Sequence, residues 1–312
     1  MSTYDIVDVA PDTPVWEAER RKSVGASEVA ALLGLSPYNT ALDVYKHKLG
    51  IDKPFDPVLS YIGHASESIV EGYLTRFSGL DLDPQPGFMA RSREFPFMHA
   101  SFDRVHHHPL IPIQIKTASA WANHEWDEGV PTDIQVQVMA EMLVSGAPRA
   151  LVAVWIGGRE FRHYWIGRDD RFIRDYLIPA VEEFWFGNVK AQVPPPPMTV
   201  EEVNAIPTES VEVELSENAF EVLERLTVLN SDIAAQEEER KALKVALAQY
   251  TGTADTLTYQ GQKVATWRQQ KGRVGFDKAG LAAEHPDILA KFTVQGEPFR
   301  VLRTTKKKEQ NQ

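Results

Sequence analysis

The chain has 312 residues, 43% of them hydrophobic, enough for one sizeable folded core plus an extension. It contains no cysteine, which excludes disulfides and thiolate zinc sites and leads us to expect a reducing cytoplasm. The net charge of −11 does not advertise a nucleic-acid binder, but it is unevenly spread: residues 263–312 carry a local +6 and the preceding 262 residues −17. No apolar run approaches the roughly 18 residues of a membrane span, and no basic-then-apolar N-terminus occurs, so neither a span nor a secretory signal is predicted.

Taken in chain order, residues 16–33 read as helical, with Ser27 and Glu28 opening a segment that presents Val29, Leu32, Leu33 and Leu35. A short amphipathic helix over 40–49 follows the Ser36-Pro37 turn. A longer one over 59–77 has Ile62, Ile69, Tyr73 and Phe77 at helical spacing, and Gly63-His64-Ala65-Ser66-Glu67 is expected in its opening turn, with Glu71 one turn on. Strands are predicted over 87–91, 95–105 and 110–117. A helix over 132–145 follows Pro131 and stops at Gly146-Ala147-Pro148. Strands over 150–156 and 161–166 flank Gly157-Gly158, and a helix over 169–186 closes the domain. This order predicts an α/β domain with a central mixed sheet flanked by helices, occupying residues 1–190. Val193 and Pro194–Pro197 form a stiff spacer within a linker at 191–200. In the extension, 201–312, a seam of Val222, Leu226, Leu229, Ile233, Leu243, Leu247 and Tyr250 predicts a long helix. A hairpin of 257–259 and 264–267 around Gln260-Gly261 comes next, and Lys306–Gln312 reads as disordered.

The richest stretch is Ser101-Phe102-Asp103 followed by Gln114-Ile115-Lys116. In adjacent strands these residues meet at one end, and 114 and 116 share a face because strand side chains alternate. An aspartate, a second oxygen ligand and a lysine there suit a hard divalent cation and a phosphate. Two-metal phosphodiester chemistry wants a carboxylate at 114, and this chain has glutamine. His106-His107-His108 is read as a solvated loop, because adjacent residues cannot converge on one ion.

Alone, such a triple is weak. In combination, Arg20, Gly25-Ala26-Ser27-Glu28, Gly63 to Glu67, Ala100 to Asp103, Gln114-Ile115-Lys116 and Gln135-Val136-Gln137 resemble the lambda-exonuclease-like (YqaJ-type) viral recombinase family of the PD-(D/E)XK nuclease superfamily. The resemblance covers about residues 15–187 and implies a restriction-endonuclease-like core. It also implies a deoxyribonuclease that degrades one strand of linear duplex DNA in the 5′→3′ direction with Mg²⁺, Mn²⁺ substituting, for phage-type recombination or replication. By the same resemblance Asp103, Gln114, Lys116 and Glu67 are the catalytic set. Glu67, Asp103, Gln114 and Ile115 are the metal set, and Arg20, Ser27, Ser101 and Gln135 hold DNA or its 5′-phosphate. The implied partners are double-stranded DNA ends, a single-strand annealing protein and further copies in a ring trimer, in a bacterial host cytoplasm.

Gln114 departs from the family's glutamate. The amide keeps a carbonyl oxygen but loses a full charge, which weakens a hard-cation site. Either the exchange was introduced to trap DNA uncut, or glutamine is natural and the enzyme is slow, differently metallated or inactive. The competing function is a nuclease-fold protein that binds DNA ends or a partner without cutting.

Overall fold

The computed structural model describes residues 2–11, 13–51, 57–78, 88–107, 110–207, 210–296 and 299–304. The chain divides into two compact units, Met1–Glu202 and Val203–Gln312.

The first unit is mixed α/β, as the order of elements predicts, but among the described residues its strands form two four-stranded sheets instead of one. The first sheet runs β1 (Tyr4–Val7), β3 (Met89–Ser92), β4 (Met98–Ser101), β2 (Val24–Gly25). The second runs β5 (Arg104–His107), β6 (Leu110–Ala118), β7 (Arg149–Ile156), β8 (Glu160–Gly167). Each is mixed, with β2 parallel to β4 and β6 parallel to β7. The single strand expected over 95–105 is broken at Phe102-Asp103, which leaves β4 in one sheet and β5 in the other. The break has a local cause. Asp103 turns its carboxylate onto the Ile115 N–H at 2.7 Å, so a side chain accepts the proton that a straight ladder would give to backbone. His106 and His107 lie in β5 and not in a loop, while His108 falls outside the described residues.

Two helices sandwich the second sheet. On one face α4 (Pro57–Phe77) sets Val70 and Leu74, both fully buried, against Ile113, Ile115, Leu151 and Ala153. Its start at Pro57 places Glu67 in mid-helix and not in the opening turn; proline is tolerated there because a first-turn residue needs no N–H donor. On the other face lies α5 (Thr132–Ser145), buried almost throughout and ended by Gly146 at φ 73°. Strand alternation therefore sends Ile113 and Ile115 toward α4, and Gln114 and Lys116 toward α5.

The helix expected over 16–33 is interrupted. It resolves into α1 (Pro14–Arg20), strand β2, a 3₁₀ turn at Ala26–Glu28, and α2 (Val29–Leu32). Glu28 accepts the Gly25 N–H at 2.7 Å and Val24 donates to the Phe97 carbonyl at 2.8 Å, so capping and strand pairing override the apolar periodicity. The short helix is α3 (Ala41–Lys48), and helical turns run through residues 170–190, several of them π-type. In the second unit the 35-residue helix Glu217–Thr251 is present, with the seam residues Val222, Ile233, Leu243 and Tyr250 exposed. The hairpin of Thr256–Tyr259 and Gln262–Thr266 turns at Gln260 and Gly261, both at positive φ. The expectation for Lys306–Gln312 lies outside the described residues.

Candidate active site

Asp103, Gln114 and Lys116 meet as the spacing requires, and α5 completes the group with two residues. Lys116 Nζ donates to Gln137 Oε1 at 3.0 Å. Gln137 Nε2 donates to Gln114 Oε1 at 2.7 Å and to Glu141 Oε1 at 2.9 Å. Gln114 Nε2 donates to Asp103 Oδ2 at 2.5 Å. The direction of this chain of bonds is set at its origin. A lysine ammonium can only donate, so Gln137 must present its oxygen to Lys116 and its NH₂ to Gln114, which then turns its own NH₂ onto Asp103. A glutamate at 114 could accept from Gln137 but would set its charge against Asp103.

Burial shapes the charges. It pushes Asp103 up to about 6, against the pull of Lys116 and the Ile115 N–H. Burial also pushes Glu141 up to about 8, assisted by the negative charge of Asp103 and opposed by the Gln137 donor and Lys116. Glu141 is 1% exposed and Gln114 3%. Sequence reasoning passed over both Gln137's role and Glu141. The signal was present: a glutamate inside the apolar run Val138-Met139-Ala140-Glu141-Met142-Leu143-Val144, one turn beyond Gln137 on the same face.

Glu67 sits beside this group but is engaged. Arg104, the residue after Asp103, donates to Glu67 Oε2 at 2.8 Å, to Glu71 Oε2 at 2.9 Å and to the Asp103 carbonyl at 2.6 Å. The guanidinium thus ties α4 to the strand break and offsets both helix carboxylates. Nothing in the sequence pattern had singled out Arg104.

The four residues expected at DNA fall in two places. Gly25 pairs with His99 in parallel strands that run on toward Ser27 and Ser101, so these two serines lie at one end of the first sheet. Ser27 is exposed, whereas Ser101 Oγ is buried and has no hydrogen-bond partner among the described residues. Arg20 stacks over Trp16 at 4.6 Å and pairs with Glu17 at 3.5 Å. Its carbonyl accepts from Lys48 Nζ, which also holds Glu28 at 2.6 Å, so a buried ion pair fixes Arg20 and the Ser27 turn together. Gln135 instead donates to the Val130 carbonyl at 2.6 Å, securing the start of α5. Of the two glutamines, Gln137 is the one that joins Asp103, Gln114 and Lys116.

The donors fit one hard cation. Among the described residues no three His, Asp or Glu side chains form a metal-ligating cluster. Yet Gln114 Nε2 lies 2.5 Å from Asp103 Oδ2 and 3.4 Å from the Ile115 carbonyl. An N–H group therefore sits where a carboxylate and a carbonyl oxygen converge, two oxygen donors of the kind that suit Mg²⁺ or Mn²⁺, and Gln114 would join them as a ligand only by turning its Oε1 from Gln137 to the ion. Glu67, held by Arg104, does not enter that set.

Comparison with known proteins adds to this geometry. The chain is 34% identical over 176 residues to the uncharacterized protein YqaJ of Bacillus subtilis (strain 168), covering 54% of each. It thus spans about half the length of the curated relative it matches. An alkaline exonuclease from Laribacter hongkongensis is similar at TM-score 0.48 and 18% identity, over 58% of this chain and 94% of that one. A phage-related exonuclease from Haemophilus somnus 129PT is similar at TM-score 0.43 and 14% identity, over 57% and 99%. Residues 15–148, the segment that supplies every group of the site, match the YqaJ-like viral recombinase domain.

Proposed function

We propose that this protein hydrolyses one strand of linear duplex DNA from a 5′ end, with one divalent cation, Mg²⁺ or Mn²⁺, at Asp103, Gln114 and the Ile115 carbonyl. The observation that carries the reading is the convergence of Asp103, Gln114 and Lys116 in a single hydrogen-bonded group. The match of residues 15–148 to a viral recombinase domain supports DNA as the substrate.

A cation bound there supplies Lewis-acid neutralisation of the scissile phosphate and a more acidic water. The chain does the rest. Lys116 commits one of its N–H donors to Gln137, which aims the ammonium and leaves its remaining donors for the attacking water or a phosphate oxygen. Ser101, two residues before Asp103, has a buried hydroxyl with no partner among the described residues, and Ser27 and Arg20 offer a hydroxyl and a fork of donors for the terminal 5′-phosphate. An annealing protein as partner, a ring trimer and action in a bacterial cytoplasm belong to the same proposal; no helix among the described residues is long and apolar enough to cross a membrane.

A second reading, DNA-end binding without hydrolysis, is favoured by one observation: the Gln114 amide already satisfies Asp103. Digestion of 5′-phosphorylated linear duplex with Mg²⁺ or Mn²⁺ separates the two. Product release that Lys116→Ala abolishes supports hydrolysis. Tight end binding with no product from either protein overturns it.

A further inference from the structure

The carboxylate that position 114 lacks is present nearby, on the helix. Gln137 Nε2 donates simultaneously to Gln114 Oε1 at 2.7 Å and to Glu141 Oε1 at 2.9 Å. One NH₂ group therefore serves both positions. Gln114 is buried on the strand side and Glu141 on the helix side, and Asp103 closes the far end of the chain of bonds. Lys116, on β6, is the one cation hydrogen-bonded to the group's α5 residues among the described residues, and it is bonded to Gln137, not to Glu141. Arg104, the other cation near Asp103, is spent on Glu67 and Glu71.

We propose that Glu141 is a positioning residue coupled to Gln114 through Gln137, and that its buried acid is the reason position 114 carries an amide. With glutamate at both positions, three carboxyl groups (103, 114 and 141) would share a buried space holding a single lysine. Two of them would rest on the two N–H bonds of one neutral Gln137 amide, with no second cation to offset their charge. Buried like charges that lack separate partners are strongly unfavourable. An amide at 114 removes the conflict: it carries no charge, accepts from Gln137 through its oxygen and donates to Asp103 through its nitrogen, so both ends of that side chain are hydrogen-bonded. The burial-driven rise of Glu141 to about 8 is in keeping with a carboxyl that has no cation of its own.

The simpler account treats Gln137–Glu141 as an internal helix bond with no bearing on the metal centre. The two accounts differ in one measurable quantity, the coupling between positions 114 and 141 in cation binding. This inference rests on the single-cation reading above, and its test is arranged so that the two can fail separately.

Four full-length proteins are compared: wild type, Gln114→Glu, Glu141→Gln and the double variant. Mn²⁺ affinity is measured by titration calorimetry and thermal stability without metal. We expect Gln114→Glu to tighten Mn²⁺ at least about tenfold more in the Glu141→Gln background than in the native one, a coupling of about 1.4 kcal/mol. We also expect the metal-free melting temperature to fall on Gln114→Glu alone and to recover in the double variant. If Gln114→Glu folds only together with Glu141→Gln, the coupling is established by that fact. If it fails to fold in either background, or if the two changes add independently in both affinity and melting temperature, the proposal is overturned. Absence of Mn²⁺ binding in all four proteins overturns the single-cation reading instead, and the coupling is then decided by the melting temperatures.

Discussion

Gln114 donates its side-chain amide to Asp103 Oδ2 over 2.5 Å, so a proton joins two groups that phosphodiester chemistry would join through a cation. The bond is the last of a series begun by Lys116, which makes the lysine responsible for the orientation of both glutamines. Removing Lys116 should therefore affect chemistry far more than folding. Lys116→Ala is expected to eliminate metal-dependent digestion of linear duplex while costing about 1.5–3 kcal/mol of stability, the scale of one lost hydrogen bond to a charged group. Denaturant melts and a gel-based digestion time course check the two halves. Equal digestion by the two proteins would remove Lys116 from the mechanism.

Glu141 makes stability depend on pH in a direction fixed by its shift. Its folded-state value, about 8, lies above the ordinary 4.5, so folding favours the protonated acid. The associated stability is fully present below about pH 4.5 and is lost as pH rises toward 8. Asp103, raised from 3.8 to about 6, acts with the same sign over the lower part of that range. Glu141→Gln should thus melt at a higher temperature than wild type at pH 8.5 and converge with it near pH 4.5. A constant difference across the range would show that this acid does not titrate on unfolding.

The elements that were legible in the sequence are those whose pattern is local. The hairpin at Gln260-Gly261, the long helix Glu217–Thr251 and the adjacency of Asp103, Gln114 and Lys116 follow from turn chemistry, heptad-like spacing and strand alternation. What escaped depends on partners far along the chain. The split of residues 16–33 follows from pairing with β4, more than seventy positions away, and that register is invisible to local periodicity. Arg104 and Glu141 escaped because each looked ordinary by itself: a strand arginine and a helix glutamate. Their meaning comes from Glu67, Glu71 and Gln137, which packing brings to them. Gln135 and Gln137, two residues apart on one helix, necessarily face different ways, and spacing alone does not say which faces the strand.

Lys48 tests how the candidate phosphate end is built. Its side chain is fully enclosed, and its Nζ reaches Glu28 at 2.6 Å and the Arg20 carbonyl at 2.9 Å. Lys48→Ala leaves Glu28 buried without its cation and should cost about 3–5 kcal/mol. Lys48→Met with Glu28→Gln removes both charges and should be markedly less harmful. Chemical denaturation of the three proteins decides it; a single variant as stable as the wild type would mean that the pair contributes nothing.

Arg20 and the two serines yield a prediction about ends. If they receive a terminal phosphate, linear duplex with a 5′-phosphate is digested faster than the same duplex with a 5′-hydroxyl. Arg20→Ala should then shrink that preference by about tenfold, the scale of a lost charge-assisted contact, and change the hydroxyl rate much less. Rates on the two substrates, measured side by side, give the ratio directly. Digestion of closed circles as fast as linear duplex would refute an end-dependent enzyme altogether.

The second unit poses the last question, whether its basic residues touch DNA. Arg268, Lys271, Arg273, Arg300 and Arg303 belong to a stretch whose local charge is +6 on a chain of −11 overall. Arg268 is partly offset by Asp255 at 3.3 Å, while the sequence adds Lys306, Lys307 and Lys308 beyond it. Each lysine or arginine that neutralises a phosphate steepens the log–log salt dependence of binding by about one unit. A protein ending at Ile206 retains the Thr40–Glu202 hydrogen bond and the whole first unit, so it is expected to fold. It should bind labelled duplex more weakly than the full chain, and its affinity should fall less steeply between low and moderate salt. Anisotropy titrations at several salt concentrations measure both quantities. Unchanged affinity with an unchanged slope would take the second unit off the DNA and leave its exposed helix seam, Val222 to Tyr250, for a protein partner.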